Sequence, residues 1–446
     1  MVYMNAETLG KMLDKGRLSP LEEPAICDNF FLRLSTMFLC SKNMFSLRGT
    51  IDIKECANIN LLWSSLIVEE CVRHGLTYFC IAPGSRSSPL ALAACSHSLT
   101  SCTSCYDERS LAYHALGYGR GSHKPAVVIT SSGTAVSNLF PAVVEASQDF
   151  VPLLMLTADR PPELLDTGAN QAIDQVNHFG KFVKFFSLPP PTDEMPARMI
   201  LTTIDSAVYS ASQSPCGPVH VNCPFREPLE DSPKAWDSKC LEGLNLWMLK
   251  EEPYTKYIKV QRACSYSHDN MSMLLDIIKG ANEGLLVVGA IQAEDEIWAA
   301  LQLVKHLSWP TVPDILSGLR LRRQLTSHNG IEHNILFLDH LDHALLSGSV
   351  KSWLKPDVVV QIGGRVTSKR VSQFLELCSP NSYIFVDKHP YRHDPSHLIT
   401  HRLQCSIIEF ADIMLAKNSQ KGLERQYHFK GNKCHGCNGD VISNIL

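Results

Sequence analysis

The sequence predicts an α/β protein with two doubly wound parallel-sheet domains. Three observations predict it: short apolar runs of strand length, helix-compatible stretches between them, and a second round of this alternation after a polar, proline-containing stretch at residues 224–253. Apolar strands that alternate with helices are typical of βαβ units, whose parallel sheets are covered on both faces. Ligands of such sheets bind beyond the carboxyl ends of the strands, so polar residues directly after a strand are the first candidates for a site.

The first domain is predicted over residues 59–230. Apolar residues at helical spacing predict an opening helix that ends near Gly75. The predicted strands are Tyr78–Ala82, Ala126–Thr130, Val151–Thr157 and Val219–Val221, and helices are predicted at Leu90–Cys95, Leu111–Leu116 and Ala135–Ser147. Residues 1–58 mix acids with a semi-apolar stretch, unlike an acid-poor transit peptide, and we expect a poorly ordered extension there.

The second domain, a central domain, is predicted over residues 256–416, after a linker at 231–255 and before a polar tail at 417–446. Its predicted strands are Leu285–Gly289, Thr311–Pro313, Val358–Ile362 and Tyr383–Val386, and its helices include Glu294–Leu307 and Ile335–Leu346.

Composition and charge exclude several classes of protein. The 446 residues are 45% hydrophobic and 19% charged, which excludes collagen-like, mucin-like and wholly disordered chains. The net charge of −4, from 41 Lys+Arg and 45 Asp+Glu, indicates no nucleic-acid partner. No apolar run reaches the length of about 18 residues that a membrane span needs.

The sixteen cysteines are scattered, and many lie in apolar runs, which is typical of buried thiols in a reducing compartment. Two CxxC pairs occur, Cys102/Cys105 and Cys434/Cys437. They lie far apart in the sequence, which weighs against a shared zinc site.

The first predicted strand is followed by the sequence Ala-Pro-Gly-Ser-Arg-Ser-Ser-Pro at residues 82–89. Gly84 permits a tight turn, and one of the three serines, Ser85 among them, can cap the next helix. Arg86 offers a planar fork suited to a carboxylate or phosphate. The pattern favours an anion site, while the alternative is a capped helix with a surface arginine.

A charged triplet, Asp-Glu-Arg at residues 107–109, precedes a predicted helix. Glu108 is a candidate catalytic acid, although local pattern alone favours acids that complement the helix dipole. The hydroxyl-rich turn at residues 130–135 follows another strand and could hold an anion on backbone N–H groups, but it lacks the spacing of a P-loop.

Polar residues follow two further strands. Arg160 comes at the end of one strand, and Asn170 and Gln171 follow in a loop where their side chains could hydrogen-bond a polar ligand. In the second domain, residues 362–370 contain two glycines and three cations, including Lys369. That segment suits an acidic ligand and equally suits an ordinary solvated turn.

Together these motifs resemble those of thiamine-diphosphate enzymes, and among them the MenD type. That type is the 2-succinyl-5-enolpyruvyl-6-hydroxy-3-cyclohexene-1-carboxylate synthase of menaquinone and phylloquinone biosynthesis. The resemblance covers roughly residues 60–415 and looks closest to plant versions. It rests on the segments at residues 83–89, 107–109, 130–138, 157–165, 168–173, 220–225 and 367–370.

The resemblance implies a pyrimidine-binding domain followed by a central domain. It implies a C–C bond-forming transferase that uses thiamine diphosphate and Mg²⁺ or Mn²⁺ to decarboxylate 2-oxoglutarate and add the four-carbon unit to isochorismate. Glu108 matches the glutamate that hydrogen-bonds the aminopyrimidine ring and is the expected catalytic residue. The other matching positions fall into two groups: the substrate-binding residues are Ser85, Arg86, Arg160 and Lys369, and the cofactor-binding residues are Glu108, Asn170 and Gln171. A homodimer or larger assembly is implied for the full-length family, as is a plastid location if the source is a plant.

The sequence departs from the family at its carboxyl end. The family holds the diphosphate and metal through a further domain whose signature begins Gly-Asp-Gly, whereas here Gly439-Asp-Val441 stands close to the last residue. We therefore assign no metal ligand. The alternative to the synthase is a catalytically incomplete fragment or pseudoenzyme that cannot turn over alone.

Overall fold

The computed structural model describes residues 53–258, 268–322 and 335–416. The predicted tail and most of the predicted extension lie outside these ranges. The chain divides into two compact units, residues 1–257 and 258–446. Each unit contains one parallel β-sheet with helices on both faces, which confirms the predicted fold class.

The first unit holds a six-stranded sheet in the order β2-β1-β3-β4-β6-β5, and all neighbouring strands are parallel. Its strands are β1 (Tyr78–Ile81), β2 (Ser101–Ser104), β3 (Ala126–Thr130), β4 (Leu153–Asp159), β5 (Lys184–Ser187) and β6 (Pro218–Pro224). Its helices are α1 (Ile59–Arg73), α2 (Ser88–Ser96), α3 (Glu108–Ser122), α4 (Thr134–Asn138), α5 (Phe140–Gln148), α6 (Arg198–Ser212) and α7 (Asn245–Leu249).

The central strands are buried on both faces because their side chains alternate between two cores. In β3, Val127 and Ile129 pack with α1, α2 and α6, whereas Ala126 and Val128 pack with α3 and α5. This double burial explains why β3 and β4 are continuous apolar runs.

Residues 231–255, predicted as a linker, fold back onto the first unit. The backbone N–H of Lys234 donates to the oxygen of Ala57 at 2.8 Å, and the indole of Trp236 donates to the oxygen of Cys56 at 2.9 Å. We call residues 231–255 the return segment. It contains a 3-10 turn, Ser238–Leu241, and the short helix α7.

A buried carboxyl pair anchors the return segment. Glu70 accepts hydrogen bonds from the Trp247 indole at 2.6 Å and the Tyr254 N–H at 2.6 Å. Asp205 bonds His74 Nε2 at 2.7 Å and the N–H of Thr255 at 2.8 Å. Burial and the adjacent Asp205 raise the pKa of Glu70 to about 8.

Within the described ranges, Glu70, His74 and Asp205 are the group spaced closely enough to hold a metal ion. The carboxylate oxygens of Glu70 and Asp205 already accept hydrogen bonds from the protein, and His74 Nε2 bonds Asp205, so we interpret the cluster as structural.

The second unit holds a five-stranded sheet in the order β11-β10-β9-β7-β8, again with parallel neighbours. Its strands are β7 (Gly284–Val288), β8 (Thr311–Pro313), β9 (Val358–Ile362), β10 (Ser382–Val386) and β11 (His401–Leu403). Its helices are α8 (His268–Gly280), α9 (Glu294–Leu307), α10 (Leu341–Ala344), α11 (Gly348–Trp353), α12 (Lys369–Cys378) and α13 (Ile407–Ala416).

The predicted helix at Ile335–Leu346 is wrong over its first half. Phe337 forms a parallel bridge with Thr311, and the backbone N–H of Leu338 donates to the oxygen of Thr311 at 2.8 Å. The apolar residues there extend along the sheet edge, and helix begins only at Leu341.

Across the described ranges, no helix combines the length and apolar character that a bilayer crossing requires.

Candidate active site

Three loops meet beyond the carboxyl ends of β1, β3 and β4 in the first unit. They span residues 82–87, 131–133 and 160–172. Parallel strands place these ends at one edge of the sheet, as the sequence predicted.

Two glycines allow the loops to approach closely. A Cβ atom at Gly84 would lie 2.4 Å from the Cβ of Ser131, so a side chain there would displace the neighbouring loop. Gly133 has a φ of +74°, and a Cβ atom there would lie 2.8 Å from the backbone oxygen of Gln171. The loops therefore interlock through positions that accept only glycine without rearrangement.

Arg160 is buried and fixed by two of these loops. Its Nη1 donates to the hydroxyl of Ser132 at 2.8 Å, and its Nε donates to the backbone oxygen of Asn170 at 3.1 Å. Burial, with the nearby positive charge of Arg86, lowers the pKa of Arg160 below its usual range. Two guanidinium groups thus lie near each other at the sheet edge.

Arg86 reaches the same region from the first loop. Its Nη1 donates to the backbone oxygen of Phe225 at 2.9 Å, and its Nη2 lies 3.3 Å from a carboxylate oxygen of the exposed Glu227. Its Nε is buried and finds no hydrogen-bond partner within the described part of the chain. Two carboxylates, those of Asp159 and the exposed Glu227, lie near these two buried guanidinium groups, and the Arg86 Nε remains a donor suited to an anion.

Glu108 begins α3 and is half-buried. Its Oε2 accepts a hydrogen bond from the side-chain amide of Asn138 at 3.0 Å. The preceding Asp107 caps the helix by accepting from the Ser110 N–H at 2.7 Å, and this bond lowers the pKa of Asp107. Asp107 therefore provides the helix-terminal role that local pattern had suggested for Glu108.

The remaining predicted residues are exposed. Asn170 and Gln171 lie on the third loop, where their backbone oxygens hold Arg160 and Ser132 in turn. Ser85 is exposed on the first loop. The expected serine cap of α2 is not made, since the Ser87 hydroxyl donates to the oxygen of Gly84 at 3.1 Å instead.

Lys369 belongs to the second unit, where it is the first residue of α12 and is exposed. Ser368 caps that helix through the Val371 N–H at 3.3 Å. The neighbouring Arg370 lies 3.2 Å from a carboxylate oxygen of Asp342, so this cation of the predicted segment is paired.

Sequence reasoning missed Gln175, a buried residue behind the three loops. Its Oε1 accepts from the Gly133 N–H at 2.8 Å, and its Nε2 donates to the Ala158 oxygen at 3.1 Å and to Asn222 Oδ1 at 2.9 Å. Asn222 in turn donates to Asp159 at 2.8 Å, next to Arg160. The only available signal was a polar residue with no apolar periodicity, which points to no particular role.

Family models of known proteins match much of both units. A family model described as the N-terminal TPP binding domain of thiamine pyrophosphate enzymes matches residues 63–178. A second, described as the middle domain of thiamine pyrophosphate, matches residues 238–438.

Individual relatives are similar over most of this chain. Protein PHYLLO, chloroplastic, from Arabidopsis thaliana is 56% identical over 413 residues, which are 91% of this chain and 24% of that protein. A 2-succinyl-5-enolpyruvyl-6-hydroxy-3-cyclohexene-1-carboxylate synthase from Salinibacter ruber is 40% identical over 82% of this chain and 60% of its own length. The same-named protein from Rubrobacter xylanophilus is 41% identical over 78% and 58%. The chain thus spans at most about three-fifths of these curated relatives.

Proposed function

This chain is a homologue of the MenD-type thiamine-pyrophosphate synthases and carries two domains of that family, and we propose that it supplies the pyrimidine-side part of such a synthase. The reaction proposed is decarboxylation of 2-oxoglutarate, followed by addition of the four-carbon unit to isochorismate. The similarity supports this function rather than that of a pseudoenzyme.

The observation that carries the proposal is the pairing of two buried guanidinium groups, Arg86 and Arg160, beyond the sheet. Both proposed substrates carry two carboxylates, and planar guanidinium groups bind carboxylates through charge-assisted hydrogen bonds. Because Arg160 is already fixed by Ser132 and Asn170, it loses little freedom when a carboxylate binds.

Glu108 is suited to bind the aminopyrimidine ring of the cofactor. Asn138 fixes one carboxylate oxygen of Glu108, and the other, Oε1, accepts no hydrogen bond from the described residues. A carboxylate held in this way can accept a hydrogen bond from a ring nitrogen and take up or release a proton there. Thiamine diphosphate, when bound, supplies stabilisation of the carbanion that remains after a 2-oxo acid loses CO₂.

The other residues have positioning and binding roles in this proposal. Asn170 and Gln171 would line the cofactor, and Ser85 and Lys369 would add contacts to the substrate carboxylates. We assign no residue of this chain to the divalent metal, Mg²⁺ or Mn²⁺, that accompanies the diphosphate. The Glu70 cluster does not fit it, because its oxygens are occupied by protein donors.

Assembly and location are also proposed from the relatives. We propose a homodimer or larger oligomer, testable by analytical ultracentrifugation of the assembled enzyme. We propose a plastid location because the Arabidopsis relative is named chloroplastic, and fluorescence microscopy of a tagged full-length gene product in leaf cells tests it.

A hybrid enzyme tests the function. Since the chain spans three-fifths of the Salinibacter synthase, residues 53–416 are fused to the remaining carboxyl-terminal part of that protein. We expect CO₂ release from 2-oxoglutarate with thiamine diphosphate and Mg²⁺, and an isochorismate-dependent product. Glu108→Gln should lower the rate by about 100-fold or more, while the matched control Glu145→Gln, on α5, should leave it unchanged. A folded hybrid that binds the cofactor but releases no CO₂ contradicts the proposal.

A further inference from the structure

Two cysteine thiols on neighbouring elements contact each other at one edge of the first sheet. Cys95 lies in the last turn of α2, and Cys102 lies in the edge strand β2. Cys102 lies beside Phe79 of β1 in the strand register, and Phe79 belongs to the core against which Cys95 packs, so the two thiols share one face of the sheet. A hydrogen bond joins them there. The turn between them is fixed by the Thr100 hydroxyl, which donates to the backbone oxygens of Ala94 and His97.

The contact differs from the pairing that the CxxC motif suggests. Side chains of a strand alternate between the two faces of a sheet, so Cys102 and Cys105 point to opposite faces. Cys95 packs against the core on the α1 and α2 side, in line with this, whereas Cys105 packs against the core on the α3 and α5 side. The fold therefore gives Cys102 a partner in Cys95 and separates it from Cys105.

The two thiols have unequal reactivity. Cys102 is exposed, and the hydrogen bond from Cys95 lowers its pKa. Cys95 is half-buried, and the same bond together with burial raises its pKa. The thiolate is the attacking species in thiol–disulfide exchange, so Cys102 is the accessible nucleophile and Cys95 the resolving thiol. Cys80, fully buried on β1, has a pKa raised to about 12 and is inert by the same criterion.

We propose that Cys95 and Cys102 form a reversible intramolecular disulfide by exchange with a small-molecule or protein disulfide. The Cys102 thiolate attacks one sulfur of the oxidant, whose S–S bond breaks and releases one thiolate. The Cys102 Sγ is then joined to the remaining sulfur of the oxidant in a mixed disulfide. Cys95 loses its proton and attacks Cys102 Sγ, which forms the Cys95–Cys102 bond, breaks the mixed disulfide and releases the remaining sulfur as a thiolate. The protein loses two electrons and two protons, and the oxidant is reduced to two thiols.

The bond would restrain the strand that leads into the candidate site. Cys102 lies six residues before Glu108 in the chain. In the reduced protein β2 is an edge strand, paired only with β1 among the described strands. A covalent link to α2 would attach this edge to a second element. Formation of this disulfide does not depend on the proposed reaction.

Glutathione disulfide is the probe. The folded chain is equilibrated with it, free thiols are alkylated, and the tryptic peptide of residues 87–109 is analysed by mass spectrometry. We expect loss of two hydrogens from the peptide and loss of alkylation at Cys95 and Cys102, with Cys105 still alkylated. Chymotryptic cleavage after Leu99 should then give two peptides that separate only after reduction.

Variants and unfolding give the controls. Cys105→Ser should leave the disulfide unchanged, whereas Cys95→Ser should leave Cys102 carrying a glutathione adduct. In urea, where the sheet no longer separates them, Cys102 and Cys105 should also pair. If both thiols stay alkylated in the folded protein under excess glutathione disulfide, or if Cys102 pairs with Cys105 there, the proposal is wrong.

Discussion

The guanidinium of Arg160 donates to the Ser132 hydroxyl, and that hydroxyl donates to the backbone oxygen of Gln171 at 2.9 Å. The side chain of Arg160, which follows β4, is thereby fixed by Ser132 in the loop after β3. Ser132 is in turn fixed by Gln171 in the loop after β4. The positive charge of Arg160 is held in one direction before any ligand arrives. The following predictions test what this arrangement does.

Arg160→Lys should weaken 2-oxoglutarate binding in the hybrid enzyme by about tenfold to a hundredfold, because one or two charge-assisted hydrogen bonds are lost. Lysine keeps the charge but lacks the planar fork that binds Ser132 and Asn170 together. Steady-state KM and isothermal titration measure the effect. Arg120→Lys is the control, since Arg120 pairs with Glu145 and Asp149 on an exposed surface. Equal KM values for the two variants would show that Arg160 does not bind 2-oxoglutarate.

Gln175→Leu should lower the free energy of unfolding by about 2–3 kcal/mol, because the Gly133 N–H and Asn222 lose their buried partner. Urea unfolding measures this change. The exposed Gln148→Leu should change stability by less than about 0.5 kcal/mol. A Gln175→Leu protein as stable as wild type would show that the loops do not depend on this side chain.

Stability should fall as pH rises from 5.5 to 8.5, the range below and around the raised pKa of Glu70. The folded chain keeps a proton on Glu70 up to about pH 8, whereas the unfolded chain releases it near the ordinary value of 4.5. The contribution of protonated Glu70 to the free energy of unfolding is therefore fully present below pH 4.5. It is lost as pH rises through 8, by on the order of 2 kcal/mol.

Urea unfolding at successive pH values measures this slope. Glu70→Gln should flatten it, because the amide remains neutral at every pH. Glu145→Gln should keep it. A wild-type slope that survives in Glu70→Gln assigns the effect to another group.

Two glycine substitutions should have opposite signs. Gly84→Ala should destabilise the first unit by about 1–3 kcal/mol, because its Cβ meets that of Ser131. Gly117→Ala, inside α3 with nothing within 4 Å of its Cβ position, should stabilise it by up to about 1 kcal/mol. Thermal unfolding gives the Tm of each variant relative to wild type. Two Tm shifts of the same sign would contradict the contact between Gly84 and Ser131.

The sequence predicted the buried strands well because double burial leaves a clear apolar run. It missed β2, β5 and β11, all at sheet edges, because their polar residues show no such run. The sequence predicted a helix from Ile335 because the spacing of apolar residues along this sheet edge resembles the spacing on one face of a helix.

For the candidate site, Arg86 and Arg160 were singled out because they follow predicted strands, whereas Glu108 was singled out as an acid before a predicted helix and by the family resemblance; their roles stay predictions. Gln175 could not be found, since its importance comes from contacts with residues more than 15 positions away, Gly133, Ala158 and Asn222. The thiol pair was hidden in the same way, because only the sheet decides which face each cysteine occupies.

The close approach of Gly84 to Ser131, and of Gly133 to Gln171, limits how this chain can change over time. A larger residue on either side of a contact requires a compensating shift of the other loop, so single substitutions there are destabilising. Homologous sequences that share this loop arrangement should therefore vary at these positions in pairs or not at all. The two contacts act as a covariation constraint that keeps the loops around Arg160 in place while the surrounding surface diverges.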